Sequence, residues 1–282
     1  MGKFADSRML MSASWQVLKK DKELLVFPLI SSICGLVLLA VFFVPVYQSG
    51  FFTSPDERTA SNPPTIFYLV FFAFYFCSYF IVVFFNSAVI ACAVMRMEGG
   101  DPTVSDGFRA AFSRLGTIAA WAFVSASVGL ILKAIEDRSK LVGRIVAWLL
   151  GVAWTVASFL VIPILVVEGK GPIDALREST AMLRKTWGQQ LVGKLGFGAI
   201  FLIVRIPAIV LIVLGFMSVH SGGLTILSVL CFAAGVLWIF ATSVYQSALS
   251  STFQAAVYMY ARDGQAPDGF DAQLITDVMT RR

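Results

Sequence analysis

The stretch LLVFPLISSICGLVLLAVFFVPVY, Leu24 to Tyr47, carries no Asp, Glu, Lys, Arg or His over 24 residues. A helix rising 1.5 Å per residue needs about 20 such residues to cross the hydrocarbon core of a bilayer. Immediately before it stand Lys19, Lys20, Asp21, Lys22 and Glu23. An apolar run of this length behind a charged cluster, with no small-residue cleavage pattern, predicts a membrane span and not a secretory leader.

The same pattern recurs along the chain. Further runs occupy Ile66 to Val94, Leu115 to Leu132, Ile145 to Val167, Leu191 to Val219 and Leu224 to Tyr260. Of the 282 residues 58% are hydrophobic and only 14% charged, with a mean hydropathy of +0.81. A soluble domain carries about 25% charged residues, so a soluble enzyme, a disordered chain and a disulfide-rich secreted domain are excluded. No run alternates with period two, which argues against a β-barrel. The expected fold is an all-α membrane protein with six spans.

The net charge of +5 does not point to nucleic acid, because the 22 Lys and Arg residues flank the spans instead of forming one face. Fifteen of them fall on one side of a six-span topology and five on the other, with Lys194 and Arg205 inside span five. Basic residues concentrate on the cytoplasmic side. The expected location is a bacterial inner membrane with both termini in the cytoplasm. The exception is Lys133 to Arg144, four basic residues on the opposite side, offset by Glu136 and Asp137. The i,i+4 pairs Lys133–Asp137 and Glu136–Lys140 predict a short surface helix there.

Three spans end alike: Glu98-Gly99-Gly100-Asp101-Pro102, Glu168-Gly169-Lys170-Gly171-Pro172 and Asp263-Gly264-Gln265-Ala266-Pro267. Acid-Gly-x-x-Pro is a helix stop, with Gly as the left-handed cap and Pro free to open the next helix. Asp106-Gly107-Phe108-Arg109 then matches Asp174-Ala175-Leu176-Arg177. Ser179 to Lys185 matches Ser14 to Lys20, and Ala111 and Leu115 take the Ser and Leu places in the middle copy. Apolar residues Ile173, Leu176, Thr180, Leu183 and Trp187 share one helical stripe, as do Phe108, Phe112 and Leu115, and Met11, Trp15 and Leu18. Such helices lie in the membrane surface with their basic ends among the headgroups. The unit is therefore an interfacial helix plus two spans, used three times in parallel over 1–97, 98–167 and 168–262. That gives one membrane domain, 1–262, and a cytoplasmic tail, 263–282.

Ser14-Trp15-x-x-Leu18 followed by Asp21-Lys22-Glu23-Leu24-Leu25-Val26-Phe27-Pro28-Leu29 resembles an uncharacterised family of bacterial six-span inner-membrane proteins, a domain of unknown function. The layout of interfacial helix plus two spans is similar to the membrane domain of glycerophosphodiester phosphodiesterases. The resemblance implies a fold and a membrane, and no established activity.

Intramembrane charge is costly and marks functional candidates. Lys194 is near enough to the cytoplasmic end to snorkel. Arg205, about 15 Å deep by helix rise, is not, and Pro207 beside it can kink the helix. No acid is available within a span. Asn86, Gln246, Ser250 and Gln254 are expected near its level, forming an inner-leaflet pocket for an anion such as a lipid phosphate. Cys34, Cys77, Cys92 and Cys231 read as small buried hydrophobes. His220 is alone in a Ser/Gly-rich turn. No catalytic residues, cofactor or metal site are expected. The expected role is a non-enzymatic scaffold, partner subunit or membrane-organising protein, with transport or lipid handling around Arg205 as the alternative. Membrane lipids are the expected partners, another membrane protein the second class, and nucleic acid is excluded.

Overall fold

The computed structural model describes Trp15, Leu18, Lys19 and residues 21–48, 65–138, 142–187, 196–223 and 225–264. All regular structure among these is helical. A 3-10 turn at Lys22–Leu25 leads into α1, Val26–Gln48. Next come α2 (Thr65–Met97), α3 (Val104–Ser113), α4 (Leu115–Arg138) and α5 (Val142–Ala157). Span four then breaks and resumes as Val161–Pro163 and a π-helical turn, Ile164–Glu168. The chain continues through α6 (Pro172–Trp187), α7 (Gly196–Gly222) and α8 (Ile226–Asp263). Six helices are long and apolar enough to cross a membrane, and the chain is an all-α, multi-pass membrane protein.

Two boundaries differ from expectation. Span three does not stop at Leu132, and no separate surface helix follows. α4 runs on to Arg138, so the Lys133–Asp137 pair (3.1 Å) sits on the end of the span itself. The i,i+4 spacing was a correct helix signal, but it belonged to a continuing helix. Span four, in contrast, is discontinuous.

α2 is the hub. In its most apolar window 61% of residues are buried, against 11% for α7. It packs on α1, α3, α4, α8 and the resumed part of span four. The core is concentrated at one end: Val83 to Val94 of α2, Leu160 to Val166, and Val244 to Met259 of α8, joined by Phe27 and Ala111. We call this end the basic rim, since Arg96, Arg114, Lys170 and Arg262 stand there. Away from it the helices expose apolar side chains such as Leu36, Phe71 and Leu237, as a lipid-facing bundle must. Of the four cysteines only Cys92 is buried; Cys34, Cys77 and Cys231 are half-buried.

The two short amphipathic helices are held at this rim by their small residues. α3 buries Gly107 and Ala111, and α6 buries Ala175, Ser179 and Leu183. The large apolar stripe is divided: Leu183 is buried and Phe108 and Leu176 pack on the core, whereas Phe112 is 61% exposed and Ile173 51%. The seated face thus takes in one edge of the expected stripe together with Gly107, Ala111, Ala175 and Ser179, whose small side chains let the helix backbone approach the crowded ends of the spans. Of the N-terminal stripe, Leu18 is buried and Trp15 packs on Tyr245; Met11 lies outside the described residues, as does Lys194.

Thr103 and Asp106 fix the start of α3. The Asp106 N–H donates to Thr103 Oγ1 at 3.3 Å and the Thr103 N–H donates to Asp106 Oδ2 at 3.0 Å. Glu23 accepts from the next orphan donor, the Val104 N–H. Thr103→Ala is expected to cost about 1 kcal/mol. The Thr103 hydroxyl and backbone N–H hold the Asp106 carboxyl below the usual carboxylate range. Its contribution is therefore complete above the unfolded value and fades as pH falls through the lowered one. The melting-temperature gap between wild type and Asp106→Asn in detergent should be open at neutral pH and closed in strong acid. A gap that did not change with pH would contradict this.

Candidate functional site

Three polar nodes occur along α8, at increasing distance from its midpoint. The first is at Arg205. α7 carries Phe201, Arg205, Ala208, Ile212 and Gly215 toward α8, a helix-helix seam at spacings of three and four. The two helices crowd each other at Gly235, where a Cβ would come within 2.8 Å of the Ile212 side chain and 3.2 Å of the Ala208 carbonyl. Pro207 cannot donate to the Ile203 carbonyl, and next to it Trp238 Nε1 donates to the Val204 carbonyl at 2.8 Å. The Arg205 guanidinium reaches across the seam. Its Nη2 donates to Gln246 Oε1 at 2.8 Å and Ser243 Oγ at 3.1 Å, while its buried Nε has no partner. No described carboxylate pairs with it.

The second node is Asn86 of α2, whose Oδ1 accepts from Ser251 at 3.3 Å and Ser247 at 3.4 Å. The third is Gln254, whose amide donates to the Phe159 carbonyl. Ser250 is exposed. The five residues expected around one pocket are therefore spread over the run from Ser243 to Gln254, about 17 Å of helix, and only Gln246 joins Arg205. The depth also changes. Arg205 pairs one to two turns farther from the rim than Ser250, because α7 and α8 meet in a different register from the one counted from their ends. On α7 it stands nine residues past the start at Gly196. Inside a span a guanidinium costs up to about 2.5–3.5 kcal/mol on insertion scales, and two neutral partners offset only part of that.

The Gln254 node explains the break in span four. Pro163 has no N–H to give to the carbonyl four residues back, which is that of Phe159. Gln254 supplies the missing donor. Ser179 of α6, fully buried, holds the other side: its hydroxyl donates to the Ala157 carbonyl at 2.7 Å and accepts from the Leu160 N–H at 3.1 Å. A surface helix and the last span thus jointly cap a broken span. Sequence reasoning missed this, although Pro163 was a readable signal of an orphaned carbonyl.

At the basic rim the acid-Gly corners meet. Gly99, Gly169 and Gly264 have φ of +89°, +72° and +72°, the left-handed caps expected of them. The Arg262 guanidinium donates to Glu98 (3.2 Å) and Asp263 (2.7 Å) and lies over the Tyr258 ring, and the Tyr258 hydroxyl donates to Glu168 at 2.8 Å. All three corner acids are thus tied to one turn of α8. Lys170 bridges Glu168 and Glu178, which hold its ammonium pKa above the ordinary lysine value. Arg114 packs against Gly169, where a Cβ would lie 2.5 Å from the guanidinium. Arg96 pairs with Asp21 through two hydrogen bonds, and with Asp101, tying the entry of α1 to the exit of α2. A cleft of about 500 Å³ opens here between Glu168, Glu178, Ala181, Met182, Ala261 and Arg262. Its charged walls are already paired, so the acids act as corner posts. No group of three potential metal ligands is found among the described residues.

A protein-family comparison matches residues 65–269, from the first turn of α2 to just past the third corner, to a family of unknown function, DUF6159. The chain belongs to this family. No curated protein and no solved structure matches it. DUF6159 membership agrees with the expected uncharacterised family, and no comparison brings in the glycerophosphodiester phosphodiesterases.

Proposed function

We propose that this DUF6159 protein is a non-enzymatic inner-membrane scaffold that holds amphipathic helices in the cytoplasmic headgroup layer, where they gather anionic lipid and position partner proteins. One observation carries the reading. α3 and α6 are docked through Gly107, Ala111, Ala175, Ser179 and Leu183, while the large apolar residues Phe112 and Ile173 and the basic residues Arg109 and Arg177 remain about half to four-fifths exposed. A helix that merely connected two spans has no need of that outward face. The same support extends to the arrangement in three parallel units, since each unit boundary is a left-handed glycine corner tied to Arg262 or Tyr258.

The test is lipid retention. Protein extracted with its native lipids, or reconstituted in phosphatidylcholine vesicles containing phosphatidylglycerol, should retain the anionic lipid preferentially. A surface cation contributes about 1 kcal/mol toward an anionic membrane. Arg109→Gln, Arg177→Gln and Arg184→Gln together should therefore lower anionic retention on the order of a hundredfold. Equal retention by the triple variant would sink the reading. The second reading, transport or lipid handling, draws on the unpartnered Arg205 Nε within the membrane. Liposome flux or lipid scrambling that depends on Arg205 would favour it.

A further inference from the structure

We propose that the α7–α8 hairpin is a docking edge for a transmembrane helix of another protein, one that carries an Asp or Glu at mid-membrane depth to pair with Arg205. This does not rest on the lipid-surface reading, since it uses neither α3 nor α6.

The position of Arg205 argues first. Its partners Ser243 and Gln246 lie at the middle of α8, each 17 residues from the nearer end of Ile226–Asp263. On α7 itself Arg205 stands nine residues, about 14 Å, past the start at Gly196. Its Nη2 is turned onto α8 by Ser243 and Gln246, so the head is held in the seam instead of being drawn along α7 toward the phosphates.

The surroundings argue second. Among the described residues α7 makes its substantial contacts only with α8. Arg205 is at the edge of that seam, flanked one turn away on each side by the exposed Leu202 and Ile209. An incoming helix would meet apolar surface with one cation in its middle. Intramembrane cations pair with acids in the same low-dielectric layer, and charge complementarity sets which helix fits. The described residues of a second copy of this chain do not offer the acid. Among the described residues every Asp and Glu lies at a helix end, in a connection or on a surface helix, none in the interior of a span.

The test uses the full chain in its native membrane with a photo-crosslinking benzoylphenylalanine at Ile209. The expected adduct is one polypeptide, crosslinked on a membrane helix that bears an Asp or Glu near its centre. Arg205→Gln should reduce the adduct at least tenfold and Arg205→Lys should keep it. Arg205→Glu combined with Lys at the partner's acid should restore it. If Arg205→Gln does not accumulate, Leu202→Trp keeps the charge and blocks the approach, and should give the same loss at normal abundance. Adducts with lipid alone, with a second copy of this chain, or with a helix lacking a central acid would each overturn the proposal. So would an adduct unchanged by both Arg205→Gln and Leu202→Trp.

Discussion

Gly107→Leu should detach α3 from the bundle and lower the melting temperature more than any surface change. A Cβ at Gly107 would lie 2.4 Å from Phe27 Cζ, 2.7 Å from Cys92 Sγ and 3.2 Å from the Ala88 carbonyl. The first two contacts belong to side chains, but Phe27 is fully buried and its ring stacks edge-on to Phe108 at 5.2 Å. It has nowhere to swing without disturbing α3 itself. The Ala88 carbonyl is backbone of the hub helix. Even Gly107→Ala meets this crowding, and its gain in helix propensity, about 1 kcal/mol, only partly offsets it. Overpacking of this kind costs about 1–3 kcal/mol, and the four-carbon side chain of Leu belongs at or above the top of that range. A cysteine at Ala111, which is fully buried against the bundle, is expected to react with a membrane-impermeant thiol reagent faster in the variant, as α3 lifts from the rim. Unchanged melting and labelling for Gly107→Leu would mean that α3 is not seated on Phe27 and Ala88.

The spans were legible because their signal is additive: some twenty apolar residues outweigh any local irregularity. The acid-Gly-x-x-Pro corners were legible because glycine at positive φ is a local requirement that no tertiary contact needs to create. The seated faces of α3 and α6 were not. Periodicity picks out large apolar residues, of which Leu183, Leu176 and Phe108 do pack on the core, but the crowded rim also selects small ones, so Gly107, Ala111, Ala175 and Ser179 went unweighted beside Phe112 and Ile173. The Arg205 neighbourhood was half legible. Polar residues on span six were correctly paired with a half-buried cation, but the register between two antiparallel helices depends on where their backbones come close, as at Ala208 and Gly235. Counting from ill-defined span ends cannot recover that. Ser250 was lost from the site for this reason. Asn86 and Gln254 have tertiary duties of their own, and those duties depend on Ser247, Ser251 and a carbonyl freed by Pro163.

Ser179→Ala combined with Gln254→Leu should open the break in span four. Ser179→Ala leaves the buried Leu160 N–H and the half-buried Ala157 carbonyl unpaired, and Gln254→Leu leaves the half-buried Phe159 carbonyl. An unsatisfied buried polar group costs about 1–3 kcal/mol. Each single variant should therefore lose on that order, and the pair more than either alone. The two losses need not add, because both side chains hold the same short segment. Amide exchange at Leu160 reports directly on Ser179 and should rise by at least tenfold in Ser179→Ala. Gln254→Leu offers a sharper check. If its damage comes from the orphaned Phe159 carbonyl, then Pro163→Ala should repair it, because alanine restores an N–H at the position four residues on and removes the ring that crowds that carbonyl. Pro163→Ala should therefore stabilise the Gln254→Leu background by more than it stabilises the wild type, where Gln254 already fills the role. Equal effects in the two backgrounds would show that Gln254 supports the last span in some other way and that the break is held by Ser179 alone.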